Sequence, residues 1–346
     1  MNIPKNSRIS LTWPRSRINH GVILYGTRDY HEYDSRCINP LSRLNIYPDR
    51  SMNLKTIYKS GLFGLLTAAL LLAQSGNTLA AGSIGKVEPI FARYARIYAA
   101  PTLDFRVEYF RDKPMEELDD FNGYTATLDF TYPINDVSQI ELLLPLYTNG
   151  KGDYNKPGDP NDGRSLDVEG NGGVRDFASL IYERRIPWLE RKLGINIAWL
   201  AGIGTRLDTL EAKRNGELVD KFNHEGDNHQ FGLKIDTDIS DGEMTLFGNL
   251  RYVIFEDTDD INLTGDDVDF EVLYATGAIM FNTYGRMTPV LEALLEHDFE
   301  DFTSFSLSPE IIYTLSDGLD VKFGAPFSLT SDGQDYAAVL ELTYRF

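Results

Sequence analysis

From residue 103 to the C-terminus the chain alternates apolar and polar positions in runs far longer than one turn of helix would tolerate. Leu103, Phe105, Val107 and Tyr109 are interleaved with Asp104, Arg106 and Glu108, and Tyr124, Ala126, Leu128, Phe130 and Tyr132 with Thr125, Thr127, Asp129 and Thr131. A period of two puts each set on one face of a β-strand. Twelve such segments are predicted, at 103–111, 121–132, 138–147, 173–184, 195–207, 230–240, 243–256, 268–281, 287–297, 303–315, 319–329 and 335–346. Most are about twice as long as soluble strands, which average about 5–6 residues, and suit a tilted strand crossing a hydrocarbon layer about 25–30 Å thick. The fourth alternates poorly, which leaves ten or fourteen strands as alternatives to twelve.

The last segment ends the chain on an aromatic ring. Leu340, Leu342, Tyr344 and Phe346 share one face, opposite Glu341, Thr343 and Arg345. An amphipathic final strand closing on Phe is the form read by the barrel-assembly machinery, so these four residues are the expected assembly signal. The connections agree. Short ones, including Ser240-Asp241-Gly242 and Ser316-Asp317-Gly318, alternate with mostly longer acidic ones at 112–120, 148–172, 208–229 and 257–267. Short periplasmic turns and long external loops are the signature of a membrane barrel. The fold expected is all-β: a single antiparallel transmembrane β-barrel of about twelve strands, with both termini on the periplasmic side. The 185–194 connection, containing Ile186-Pro187-Trp188-Leu189, is read as a small interfacial helix.

Upstream, Met52 to Lys59 is short and basic, Gly61 to Ala73 is apolar, and Thr78-Leu79-Ala80 is a small-x-small cleavage site. That order is a secretory signal peptide at 52–80, too short to span a bilayer. Residues 1–51 precede a complete signal and are read as a non-native extension from a misplaced start. Residues 81–102 are a periplasmic segment or plug, and 103–346 the barrel.

The sole cysteine, Cys37, lies in the extension, so the exported part holds no disulfide and no thiol metal site. The full chain has 33 Lys+Arg against 52 Asp+Glu; residues 82–346 hold 23 against 48. Such acidity argues against a nucleic-acid partner. The expected surroundings are outer-membrane lipid and lipopolysaccharide, with a small-molecule solute inside; no cofactor or metal is called for.

If apolar faces meet lipid, the opposite faces line the lumen. The polar candidates are Asp104, Arg106, Glu108, Asp129, Glu141, Arg206, Lys234, Asp236, Arg251, Glu271, Glu292, Glu310, Lys322, Glu341 and Arg345. They form either an ion-pair network filling a small barrel or the charged rings of a selective pore. Leu143, Phe247, Leu273, Phe281 and Leu294 add an apolar patch on inward phases. Two arrangements would hide it from water: a plug made by Ile84–Ala100, which carries Ile90, Phe91, Tyr94, Ile97 and Tyr98, or a binding track for an apolar solute.

No catalytic residues are assigned. Of five histidines, His224, His229 and His297 lie beyond the signal peptide, and none has a serine neighbour in a nucleophile context.

The stretch Gly324-Ala-Pro-Phe-Ser-Leu-Thr-Ser-Asp-Gly-Gln-Asp-Tyr-Ala-Ala-Val-Leu-Glu-Leu-Thr-Tyr-Arg-Phe346, together with Tyr132-Pro-Ile-Asn-Asp-Val-Ser-Gln-Ile-Glu-Leu-Leu-Leu-Pro145, resembles the meta-pathway phenol-degradation outer-membrane protein family. The likeness spans most of residues 103–346 and departs from the family at Gly172–Asp176. It implies a Gram-negative outer-membrane barrel that takes up hydrophobic or aromatic compounds. The expected function is therefore passive uptake of such molecules, with a polar-solute channel, a closed structural or adhesive barrel, and an outer-membrane hydrolase as the alternatives.

Overall fold

Sixteen strands form one continuous antiparallel sheet in the computed structural model, which describes residues 87–113, 118–171, 177–206, 210–222, 226–257, 269–282, 285–299 and 302–346. The signal peptide, the N-terminal extension, His224 and most of the 257–267 loop lie outside the described residues. The strands are β1 (Thr102–Arg111), β2 (Leu118–Asn135), β3 (Ser138–Tyr154), β4 (Ser165–Gly170), β5 (Ala178–Arg185), β6 (Asn196–Thr205), β7 (Leu210–Arg214), β8 (Glu217–Phe222), β9 (Gly226–Ile239), β10 (Met244–Asp257), β11 (Asp269–Phe281), β12 (Met287–His297), β13 (Thr303–Ser316), β14 (Leu319–Gly324), β15 (Phe327–Ser328) and β16 (Tyr336–Arg345).

Twelve of them close a ring, in the order β1-β2-β3-β5-β6-β9-β10-β11-β12-β13-β14-β16. The seam is a full ladder, from Thr102↔Arg345 to Arg111↔Tyr336. Closure leaves no ring strand with an unpaired edge, the condition for a sheet to sit in hydrocarbon. Pro326 interrupts the fourteenth strand, which β15 resumes by pairing with both β13 and β16.

The outer face is apolar. Phe231, Leu233 and Ile235 on β9, Leu340 and Leu342 on β16, and Ile311 on β13 all point away from the lumen and are exposed. Tyrosines bracket this band: Tyr109, Tyr124 and Tyr336 at the long-loop end, Tyr313 and Tyr344 at the short-turn end. Amphipathic rings at both interfaces fit a barrel that crosses a bilayer. The 185–194 connection forms helix α1 (Pro187–Leu193), started by proline and stopped by Gly194 in the left-handed region at φ 73°.

Three strands lie off the ring. β2 and β3 run for 18 and 17 residues; at about 3.4 Å per residue each spans roughly 60 Å before tilt, well over the apolar band of about 25 Å. Beyond the ring β3 pairs with β4, β4 with β7, and β7 with β8. Their inner side buries Phe121, Tyr154, Leu166, Val168, Leu210 and Ala212 against Phe110 and Ala337 of the ring, a second small core at the long-loop end. The sequence reading placed loops at 148–172 and 208–229. The missed signal is Asn215-Gly216, whose φ values of 54° and 84° give the tight turn joining β7 to β8.

Candidate functional site

Residues 87–101 run inside the ring. Ile90, Ala92, Tyr94, Ala95 and Ile97 are at most 1% exposed. Ala92 and Tyr94 pack with Phe247, Ala278, Met280, Val290 and Ile312, which sit on the inner face toward the short-turn end. The Tyr94 and Phe247 ring centroids are 4.7 Å apart. Of the two arrangements open to the apolar lumen patch, the plug takes Phe247.

A strand-free segment brings unpaired backbone N–H groups into a dry space, and each needs an acceptor. Wall side chains supply them. Glu310 Oε2 accepts from Ile90 N at 3.0 Å, and Glu292 accepts from Phe91 N at 3.2 Å and Ala92 N at 2.6 Å. Asp236 accepts from Ala95 N at 2.9 Å and Gln139 from Tyr98 N at 3.0 Å. The plug answers with cations. Arg93 inserts among Glu88, Asp104 at 3.1 Å and Asp129 at 3.3 Å, and Arg96 bonds Asp236 at 2.6 Å and Asp238 at 3.0 Å.

Further ion pairs stitch the wall. Glu341 bridges Lys322 and Arg106, each at 2.7 Å, with Lys322 and Glu341 fully buried. Arg106 also donates to the plug at Ile90 O. Lys234 lies 2.7 Å from Glu183 and 3.9 Å from Glu141, and Arg345 bonds Asp320 at 2.5 Å. Buried charges need partners, and each of these has one, although Glu183 Oε1, Asp320 Oδ1 and Arg345 Nε make no hydrogen bond of their own.

Above the plug, toward the long loops, lies a cavity of ≈ 420 Å³. Its floor is Ile90, Phe91 and Arg93; its walls include Leu143, Phe177, Leu200, Val253, Phe255 and Leu294 on one side and Asp104, Arg106, Glu108, Ser304 and Ser306 on the other. Leu143 and Leu294, the other members of the apolar patch on these strands, therefore face open space and not the plug.

The predicted lumen set divides as follows. Asp104, Arg106, Glu108, Asp129, Glu141, Lys234, Arg251 and Glu341 line the cavity, and Asp236, Glu292, Glu310 and Lys322 meet the plug. Arg345 faces the lumen at the short-turn end, and Arg206 lies just past β6 with its guanidinium 5.8 Å from the Phe177 ring centroid. Glu271, Leu273 and Phe281, expected in the lumen, face outward. On β11 Val272, Ala278 and Met280 are buried inside while Glu271 and Ile279 are exposed, so odd positions face outward. Both phases of this strand are apolar-rich, and only pairing decides: Tyr274 sits opposite inward Arg251, Leu273 opposite outward Tyr252. Of the four assembly-signal residues, Leu340, Leu342 and Tyr344 pair with β1 at Val107, Phe105 and Leu103, and Phe346, just past β16, makes an edge contact with Tyr344 at 4.9 Å.

No protein-family model and no curated relative matches the chain. Solved structures do. An outer-membrane channel from Pseudomonas putida F1 superposes with a TM-score of 0.50 at 9% identity, over 75% of this chain and 100% of that one. The fold is that of a bacterial outer-membrane barrel. The translocator domain of the autotransporter NalP from Neisseria meningitidis gives 0.45 at 11% identity, over 84% and 98% of the two chains. The KdgM porin gives 0.39 at 9%, over 71% and 99%.

The sequence reading missed the individual plug contacts. Arg93 and Arg96 were placed in no site, although two arginines spaced by three inside an otherwise apolar stretch are a usable signal for buried carboxylate partners. His297, the residue a hydrolase would need, has Nδ1 2.9 Å from the Thr303 hydroxyl and packs edge-on to Phe299.

Proposed function

We propose that the barrel is a passive outer-membrane channel for small hydrophobic or aromatic molecules, with the 87–101 segment as its gate. The cavity carries the reading. A space of ≈ 420 Å³ on the long-loop side of the plug, with an aliphatic and aromatic wall, has the size and lining of a small-molecule site. Exposed apolar wall costs free energy unless a solute covers it, so the same wall that is poorly solvated when empty favours an apolar guest. Resemblance to the meta-pathway phenol-degradation family points to the same solute class. Passage to the periplasm requires the plug to yield, because its backbone and side chains fill the short-turn half.

The test is single-channel conductance in planar bilayers for the wild-type protein and a plug-loosened variant, Arg93→Ala. Rare openings in the wild type, frequent ones in the variant, and reduction of the open current by benzyl alcohol are the expected results. A variant that is folded and silent would sink the channel reading. It would select the second one, a closed structural barrel, which the packed plug favours on its own.

A further inference from the structure

Among the cations lining the cavity one is left over. Arg93 is enclosed by Glu88, Asp104 and Asp129; Arg106 is held by Glu341, Lys234 by Glu183, and Lys113 lies 3.9 Å from Glu108. Arg251 forms no ion pair among the described residues. Its guanidinium rests 4.8 Å from the Tyr274 ring centroid, a contact that orients it without neutralising it. One side of this charge is apolar: Val253 and Phe255 follow it on the inner face of β10, Val272 and Tyr274 stand across on β11, and Phe177 stacks on Phe255 at 5.2 Å; Asn249, Thr276 and Glu296 make the other side polar.

From this we infer that Arg251 is a specificity-determining anion anchor, and that the cavity selects compact aromatic anions of the arene-carboxylate class. The planar fork of a guanidinium matches a carboxylate in bidentate geometry. A low-polarity wall strengthens that pairing and takes up the ring. Most carboxylates of the lining are engaged by cations other than Arg251. Asp104 and Asp129 share Arg93, Glu341 takes both Arg106 and Lys322, and Glu141 and Glu108 each have a lysine at 3.9 Å. Glu296 stands opposite Tyr274 on β12 and lines the same space, so the lining is not cationic overall; what sets Arg251 apart is that it is the lining cation paired with no carboxylate among the described residues. This assignment rests on the channel reading only for where the solute goes after binding.

The experiment measures equilibrium binding of benzoate, benzyl alcohol and acetate by calorimetry, using protein purified from outer membranes, for wild type, Arg251→Gln and Arg251→Lys. Benzoate is expected to bind at least tenfold more tightly than either fragment. Arg251→Gln should collapse its advantage over benzyl alcohol, and Arg251→Lys should keep part of it, which a merely structural role for the arginine would not produce. Equal binding of benzoate and benzyl alcohol, equal binding of benzoate and acetate, an advantage that survives Arg251→Gln, or no binding by a folded protein would each overturn the inference. Benzoate influx into proteoliposomes separates the two claims. Arg251-dependent binding without influx removes the channel and leaves the anchor. Influx indifferent to Arg251 removes the anchor and leaves the channel.

Discussion

Replacing Arg93 by alanine should undock the plug. The guanidinium is 12% exposed and is the shared partner of three carboxylates, two on the wall and Glu88 on the plug itself. Deleting one member of a buried ion pair costs about 3–5 kcal/mol because the remaining charge stays dry and unpaired. At about 1.4 kcal/mol per factor of ten, the docked-to-undocked ratio should fall by roughly 10² to 4 × 10³. The plug would keep its amide bonds to Glu292, Glu310, Asp236 and Gln139, so the change should read as a shift in population and not as loss of the fold. Cys37 is the only cysteine, so a Cys37→Ser background carrying Ala92→Cys has one thiol, at a position that is 0% exposed. Its rate of modification by a thiosulfonate reagent tracks the undocked fraction when docking is fast. The rate should rise by roughly 10² to 4 × 10³ in Arg93→Ala and drop back at least tenfold when Asp104→Asn and Asp129→Asn are added. An unchanged rate in a folded barrel would refute the argument. A raised rate that the two added substitutions leave untouched would show that packing, not charge, holds the plug.

Three further outcomes follow from other contacts. Glu292→Ala removes the acceptor of two plug amides, each costing about 1–3 kcal/mol when left unpaired, so the same thiol assay should register a rise, and Glu292→Gln, which keeps an acceptor, a smaller one. A Cβ at Gly324 would stand 2.9 Å from Ile90 Cδ1, the movable tip of a side chain; Gly324→Ala should leave the plug docked while Gly324→Val forces Ile90 out, and equal thiol rates for the two would contradict this. In the outer sheet, burial pushes the Asp220 carboxyl up, but the Tyr154 hydroxyl, the Lys221 backbone N–H and Lys156 together bring it below its usual value. A lowered folded pKa gives stability that is present at neutral pH and lost as pH falls through that value, so amide protection of β8 should weaken below about pH 4 and Asp220→Asn should abolish that dependence.

Ring strands were legible because lipid on one side and a polar lumen on the other enforce a strict period of two, as in β1 and β16. Where both faces are apolar the period carries no sign. β11 shows this: its inner side needs Ala278 and Met280 to receive the plug, so the sequence could not say that Leu273 and Phe281 belong outside. Strands β4, β7 and β8 stand off the ring, facing a small core and water, and their short alternation was submerged in acidic loop composition. The plug was legible as apolar, but its latch depends on carboxylates contributed by strands far apart in sequence; Ile90 and Glu310 are 220 positions apart. Arg251 stands out only when the other lining cations have been matched with their carboxylates, which a linear reading cannot do.

The latch also has a bearing on how the barrel comes to be made. The acceptors that hold the plug backbone come from β3, β9, β12 and β13, and the wall carboxylates that hold Arg93 from β1 and β2, spread around the circumference. A partly assembled sheet offers only some of them. The segment thus works as a hub whose spokes are complete only when the first strand has met the last, and its docking reports that the ring has closed. An incompletely zipped barrel would carry a loose N-terminal segment on its periplasmic side, where a protease could distinguish it from a finished one.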